Sequence, residues 1–257
     1  MMLTKANALT GYRLETAEGA VGSVKDFYFD TEKWPVRYLV ADTGTWLKSR
    51  QILISPHAIA AVNESQQRID LNLTKKQIED SPPVELDQPV TPQFQVNYHM
   101  YFGWPVYWGG TSTYGVYPFM VAPRDPGADT FPSEADRDPH LRSTEEIRGH
   151  NVLADDGGIG HVEDLIVDEE TWMIRYLVID TRNFWPGKKV LISPSWIDRI
   201  SWDESKIFVS VTREQVKQSP EYSEETLIRR DYEIHLHQHY FSKGYWGEDP
   251  VPKEPVH

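Results

Sequence analysis

The chain carries one pattern twice. Placing Gly11 on Gly149 pairs 99 residues, through Gly109 on Gly247, at a constant offset of 138 and without a gap, and 28 of the pairs are identical. Unrelated sequences of ordinary composition would share about six. Self-similarity of this kind means one structural unit that recurs, and it constrains the fold before any local reading does.

The identities fall in groups. Gly19, Gly22, Val24, Asp26, Asp30, Glu32 and Trp34 match Gly157, Gly160, Val162, Asp164, Asp168, Glu170 and Trp172. Arg37-Tyr38-Leu39-Val40 matches Arg175-Tyr176-Leu177-Val178, and Asp42-Thr43 matches Asp180-Thr181. Leu53-Ile54-Ser55-Pro56, Ser81-Pro82 and Tyr107-Trp108-Gly109 match Leu191-Ile192-Ser193-Pro194, Ser219-Pro220 and Tyr245-Trp246-Gly247.

Within one copy the pattern reads as short strands. The turn signals Glu18-Gly19 and Asp156-Gly157 precede runs rich in β-branched and aromatic residues at 21–29 and 159–167, which are predicted strands. Asp30 and Asp168 open turns. The runs 36–41 and 174–179 are apolar except at Arg37 and Arg175, as in a strand covered on both faces. A polar loop follows, with Lys48 and Arg50 in one copy and Lys188 and Lys189 in the other. Short strands are predicted at 52–54, 59–62 and 68–73. Thr74 and Thr212 are N-caps for short helices that Pro82 and Pro220 stop. About five short strands in some 65 residues predict a small barrel, which removes exposed sheet edges.

Composition narrows function. There is no cysteine, so disulfides, thiolate nucleophiles and Cys-ligated metal centres are excluded, and a reducing compartment, the cytoplasm, is expected. No run approaches the apolar length of a spanning helix, and the first residues lack the apolar core of a secretory signal. Net charge is −13, and both copies are acidic, which argues against general binding of nucleic acid or anionic membrane. Nine Trp and thirteen Tyr must be packed or used as contacts.

The pattern G-x-V-x-D, then RYLV-x-D-T, then LISP resembles the PRC-barrel family over residues 4–80 and 143–218. That fold is shared by the cytoplasmic part of the photosynthetic reaction-centre H subunit and by the C-terminal part of a ribosome-maturation factor. The tail ending in Tyr-Trp-Gly is similar to the aromatic extension of a bacterial stand-alone subgroup. The H subunit has a membrane helix and the maturation factor a separate RNA-processing domain; this sequence shows neither pattern, so neither role is expected to transfer intact. The resemblance implies a protein-binding adaptor or structural module without catalysis.

Several residue groups invite a chemical reading. Asp26 and Asp164 lie within predicted strands, either as a carboxylate pair between copies or, the favoured reading, as backbone hydrogen-bond acceptors at bulges. Arg37 and Arg175 are read as paired structural cations, with Asp26 and Asp164 as partners, and alternatively as an anion site. His235, His237 and His239 alternate; on a strand they would share a face, which makes them weak metal candidates. Only His237 has a counterpart, His99. No catalytic motif is present: no G-x-S-x-G, H-E-x-x-H or P-loop. The aromatic candidates for contacts are Trp46, Phe184 and Trp185 in the basic loops, and Trp104, Tyr107, Trp108, Tyr245 and Trp246 in the tails. The tails either pack internally, joining the copies, or face a partner.

These readings predict a mainly β protein of two tandem PRC-type barrels with short helices, related by a pseudo-two-fold axis. The copies are residues 1–82 and 143–220, with aromatic tails 83–109 and 221–247. A Pro/Gly-rich connector, 110–142, is expected to be disordered or to hug the surface, and 248–257 to be disordered. The expected function is non-enzymatic binding of a protein partner, without cofactor, compatible with a homo-oligomer. The alternatives are a small-ligand or metal-binding protein with a site between barrels, or a reaction-centre H-subunit-like electron-transfer accessory.

Overall fold

The structure is a computed structural model that describes residues 2–48, 50–84, 90–105, 137–182, 188–223 and 228–246. The first copy contains β1 (Leu3–Lys5), α1 (Ala6–Leu9), β2 (Arg13–Thr16), β3 (Gly19–Asp30), β4 (Val36–Asp42), β5 (Gln51–Ile54), β6 (Ile59–Asn63), β7 (Arg68–Leu71), α2 (Lys75–Glu79) and α3 (Pro92–Phe102). The second contains β8 (Leu141–Ser143), α4 (Thr144–Ile147), β9 (Asn151–Ala154), β10 (Gly157–Asp168), β11 (Ile174–Asp180), β12 (Lys189–Ile192), β13 (Ile197–Ser201), β14 (Lys206–Val209), α5 (Arg213–Gln218) and α6 (Arg230–His239).

Each sheet path follows from the repeated residues. In the first copy the strands pair in the order β5-β4-β3-β2-β7-β6, and in the second β12-β11-β10-β9-β14-β13. All these pairs are antiparallel except β2 with β7 and β9 with β14. Strands β4 and β11 are buried almost throughout, as their unbroken apolar runs require. The glycine of G-x-V-x-D has a steric cause. A Cβ on Gly22 would collide with the Asp42 carbonyl, and one on Gly160 with the Asp180 carbonyl. Both have positive φ, 143° and 153°, which glycine adopts without strain. Thr74 and Thr212 each form a capping box, with Gln77 and Gln215.

The chain folds as two compact units, Leu9–Ser143 and Met1–Ala8 with Thr144–His257. The boundary departs from the sequence reading of residues 1–82 as one copy, because the first strands are exchanged. β1 pairs with β10, Leu3 opposite Asp168. β8 pairs with β3, Leu141 opposite Asp30. Each exchange is held by more than main chain. Leu141 is 3 % exposed and joins Tyr38, Val40, Leu53 and Tyr98 in one core cluster. The Thr4 hydroxyl donates to Glu169 at 2.6 Å.

Two further expectations change. The last residues of the connector are no surface strap: Asp138 and Leu141 are buried. The remainder of the connector, 110–136, lies outside the described residues, as does 248–257. The tails contain helices that the sequence reading left unassigned. Helix α3 starts at the Thr91 N-cap with Pro92 in its first turn and ends at Gly103, φ 71°. Its Phe94, Phe102 and the following Trp104 pack on the core of its own unit.

Candidate functional site

The polar groups singled out from sequence are engaged inside the units. Asp26 sits at a register shift in β3, between Val24 and Asp26, and Asp164 at the matching shift in β10. Oδ1 of Asp26 accepts the Phe27 N–H at 2.7 Å, and Oδ1 of Asp164 accepts the Leu165 N–H at 2.9 Å. The bulge reading therefore holds, with one addition. Asp26 also accepts the hydroxyl of Ser143 on β8, and Asp164 the N–H of Asn7 after β1. Each bulge carboxylate fastens the exchanged strand.

The arginines pair as expected in kind, with other partners than predicted. Arg37, 2 % exposed, bonds Asp30 through Nε at 3.0 Å and through Nη2. Its Nη1 donates to Asp138 at 2.5 Å and to Gln95 Oε1 at 3.1 Å. Burial works against this charge, but Asp30 and Asp138 more than offset it and raise the Arg37 pKa. Arg175 bonds Asp168 at 2.9 Å and Thr171 at 3.0 Å. Asp26 and Asp164 are not the partners because an Arg stem on β4 or β11 reaches the turn Asp at i−7 instead. That Asp also closes the turn, Asp30 Oδ1 accepting from the Glu32 and Lys33 N–H groups. The basic loops serve the fold too. Arg50 donates to the carbonyls of Glu79, Ser81 and Pro82, and Lys188 to that of Lys217, at the ends of α2 and α5.

Helix α6 disperses the histidines of the second tail. Alternation on a helix sends neighbours to opposite faces, so His235 is exposed, His237 is buried, and His239 bonds the Gln215 carbonyl at 2.7 Å. Among the described residues no group of three or more His, Asp or Glu is placed to hold a metal ion. The strand-based reading of 235, 237 and 239 as one ligand face is corrected accordingly.

What α6 does assemble is a buried chain of polar groups. The Tyr176 hydroxyl lies 2.8 Å from Glu233 Oε1 and 3.1 Å from His237 Nε2. His237 Nδ1 is 3.1 Å from the Lys243 carbonyl. The Tyr245 hydroxyl donates to Glu233 Oε1 at 2.7 Å, and Arg230 lies 3.1 Å from Oε2. Glu233 is fully buried, and burial raises its carboxyl pKa and lowers that of His237. Tyr176 is pushed up by burial and by Glu233. In the first unit His99 makes the equivalent contact to the Pro105 carbonyl, 3.0 Å, and burial lowers its pKa to about 4.

The aromatic candidates separate into packed and exposed groups. Trp104 stacks on Phe102 at 4.2 Å and is half-buried. Trp246 is half-buried, edge-on to His237 at 5.0 Å and 4.2 Å from the Arg230 guanidinium. Tyr245 lies against the Arg175 guanidinium at 3.9 Å. Trp46 is half-buried, with the Lys75 ammonium 5.6 Å from its ring. Phe184, Trp185, Tyr107 and Trp108 lie outside the described residues.

Among the described residues, the most exposed large apolar side chain is not one of the sequence candidates. Phe241 is 89 % exposed, and Met100 and Tyr101 are 62 % and 41 % exposed. Phe241 also has φ 53°, a left-handed backbone that costs a non-glycine residue about 1–2 kcal/mol. It occupies a helix-ending turn repeated in both copies. Ser242 N–H donates to the His237 carbonyl and Trp104 N–H to the His99 carbonyl, each at 2.9 Å. The first copy fills the left-handed position with Gly103. The signal was in the repeat alignment, where phenylalanine stands opposite a helix-terminating glycine.

No curated protein matches the chain. The family model described as PRC-barrel domain matches residues 6–78 and again 141–216. The two matches cover the strands β2–β7 and β9–β14, the exchanged β8, and the residues that shape their turns, bulges and buried pairs, so the chain belongs to the PRC-barrel domain family and carries the domain twice.

Proposed function

We propose that the protein is a non-catalytic, cytoplasmic adaptor whose PRC-barrel units bind a protein partner through exposed aromatic and methionine side chains. Phe241 carries the reading. A bulky apolar residue held in solvent, in a backbone conformation that glycine fills at the equivalent position, gains nothing for the fold. The left-handed Trp34 and Trp172 are buried in their cores, so strain retained at the exposed apolar position 241 points to use there, and aromatic side chains dominate binding hot spots. The charged groups that suggested ligand chemistry, Arg37, Arg175, Asp26 and Asp164, are engaged in internal bonds, which supports a scaffold role for them. Among the described residues no helix is long and apolar enough to cross a membrane.

Site-specific photocrosslinking in cells tests this reading. A photoreactive residue at position 241 should yield a discrete adduct with one protein, and the same residue at exposed Gln66 should not. Equal, diffuse labelling at both positions would contradict the proposal.

A further inference from the structure

The buried chain on α6 has a proton count that its geometry restricts. The Lys243 carbonyl can only accept, so Nδ1 of His237 carries hydrogen. The Tyr176 hydroxyl has one hydrogen and two polar neighbours, Glu233 Oε1 at 2.8 Å and His237 Nε2 at 3.1 Å. If the hydroxyl donates to a Glu233 carboxylate, Nε2 must also carry hydrogen to reach the hydroxyl oxygen, and His237 is an imidazolium. If the hydroxyl donates to Nε2, Glu233 must carry the proton and donate to the hydroxyl. A neutral imidazole beside an ionised Glu233 leaves two lone pairs facing each other, at Tyr176 or at Lys243.

The surroundings choose between the two closed arrangements. The first places two charges in a site where Glu233 is fully buried and His237 is 3 % exposed, whereas the second places none on either residue. The groups facing the site are Tyr245 in the tail, Arg230 on the same helix and Arg175 on β11; all three favour an ionised Glu233, burial outweighs them, and Arg230 disfavours a second cation at His237. The first copy supplies a neutral counterpart: Gln95, an amide, stands in place of Glu233 and is also fully buried, its Oε1 accepts from the Tyr38 hydroxyl at 3.4 Å, and His99 keeps the same contact to a carbonyl six residues on.

We propose that Glu233 is a neutral carboxylic acid at neutral pH, and that a one-directional chain of hydrogen bonds, Glu233 to Tyr176 to His237 to the Lys243 carbonyl, latches the Tyr245-Trp246 tail onto the second unit. The second unit then takes up a proton when it folds at neutral pH. Deprotonation turns the Tyr176 hydroxyl toward Glu233 and breaks its bond to His237, and a second proton on His237 sets Nε2–H against the Tyr176 O–H, two donors with no acceptor between them. The latch closes at one total proton count only.

Nitrogen NMR of the full chain with labelled histidine rings reads this directly. The expected His237 pattern at neutral pH is a neutral ring protonated at Nδ1, unchanged in Glu233→Gln, whose amide N–H can donate to Tyr176 as the acid does. Protonation of both ring nitrogens, or of Nε2 alone, would overturn the proposal. The wild-type Glu233 carboxyl carbon, followed by NMR, should titrate above neutrality; a titration near the ordinary value of 4.5 would overturn it without any variant. For stability the sign is fixed. A carboxyl whose folded pKa is raised loses stability as pH rises above its unfolded pKa. The urea midpoint of Glu233→Gln should therefore exceed that of wild type increasingly from pH 4.5 upward, and a variant less stable than wild type at neutral pH would count against a neutral Glu233.

Discussion

Gln95 and Glu233 occupy the same position of the two copies, both on the tail helix and both fully buried. The amide of Gln95 accepts from Arg37 and donates to Asp138 at 2.8 Å. Glu233 instead meets Tyr176, Tyr245 and Arg230. One scaffold thus supports two buried polar networks, and the difference traces to what the chain supplies nearby. Asp138 precedes the exchanged β8 and serves the first unit; Tyr245, in the second tail, serves the second.

The Arg37 network predicts an asymmetry between the copies. Arg37→Ala strands Asp30 and Asp138 without their cation, and breaking a buried pair in this way costs about 3–5 kcal/mol. Arg175→Ala should cost less, because its side chain is 15 % exposed and water can reach the site it vacates. Urea unfolding of the two variants checks the order.

His99 predicts an acid limb. Its folded pKa is lowered from 6.5 to about 4, first by burial. The unfolded chain therefore binds the proton more readily, and the stability that the neutral ring contributes above pH 6.5 is lost as pH falls toward 4. His99→Asn, which can retain a donor toward the Pro105 carbonyl, should flatten this limb. Unfolding midpoints measured across that range would show it.

Leu141 tests the strand exchange. Leu141→Ala removes a buried side chain, a change that typically costs 2–5 kcal/mol. Although Leu141 lies in the second family match, the loss of hydrogen-exchange protection should appear in β3 and β4. Loss centred on β10 and β11 would mean that β8 serves its own copy.

Gly22→Ala and Gly160→Ala should each destabilise strongly, since a methyl at either position meets a backbone carbonyl that cannot move aside and the left-handed φ adds strain. Thermal unfolding of the two variants checks this, and a change below about 1 kcal/mol would contradict the steric account.

Much of the local structure was legible in sequence. The Thr74 and Thr212 caps, the strands flanking Arg37 and Arg175, and the bulge role of Asp26 and Asp164 follow from chemistry within a few residues. The exchange of β1 and β8 was not, because strand pairing is set by contacts remote in sequence, and Leu3 and Leu141 read equally well with either partner. The arginine partners were missed because a strand neighbour was preferred to the turn Asp seven residues before. The tail helices were missed although Thr91-Pro92 and Gly103 mark both ends of one. The second helix lacks a side-chain cap at Arg229, and its alternating histidines imitate a strand.

Phe241→Gly tests the functional account most directly, because stability and binding should move in opposite directions. Glycine relieves the left-handed backbone and removes no buried surface, so unfolding should shift upward by about 0.5–1 kcal/mol. Recovery of the protein partner crosslinked at position 241 should fall at least tenfold in affinity isolation with the same variant. A variant that is no more stable than wild type and retains the partner fully would contradict the assignment of Phe241 as a contact held in strain for binding.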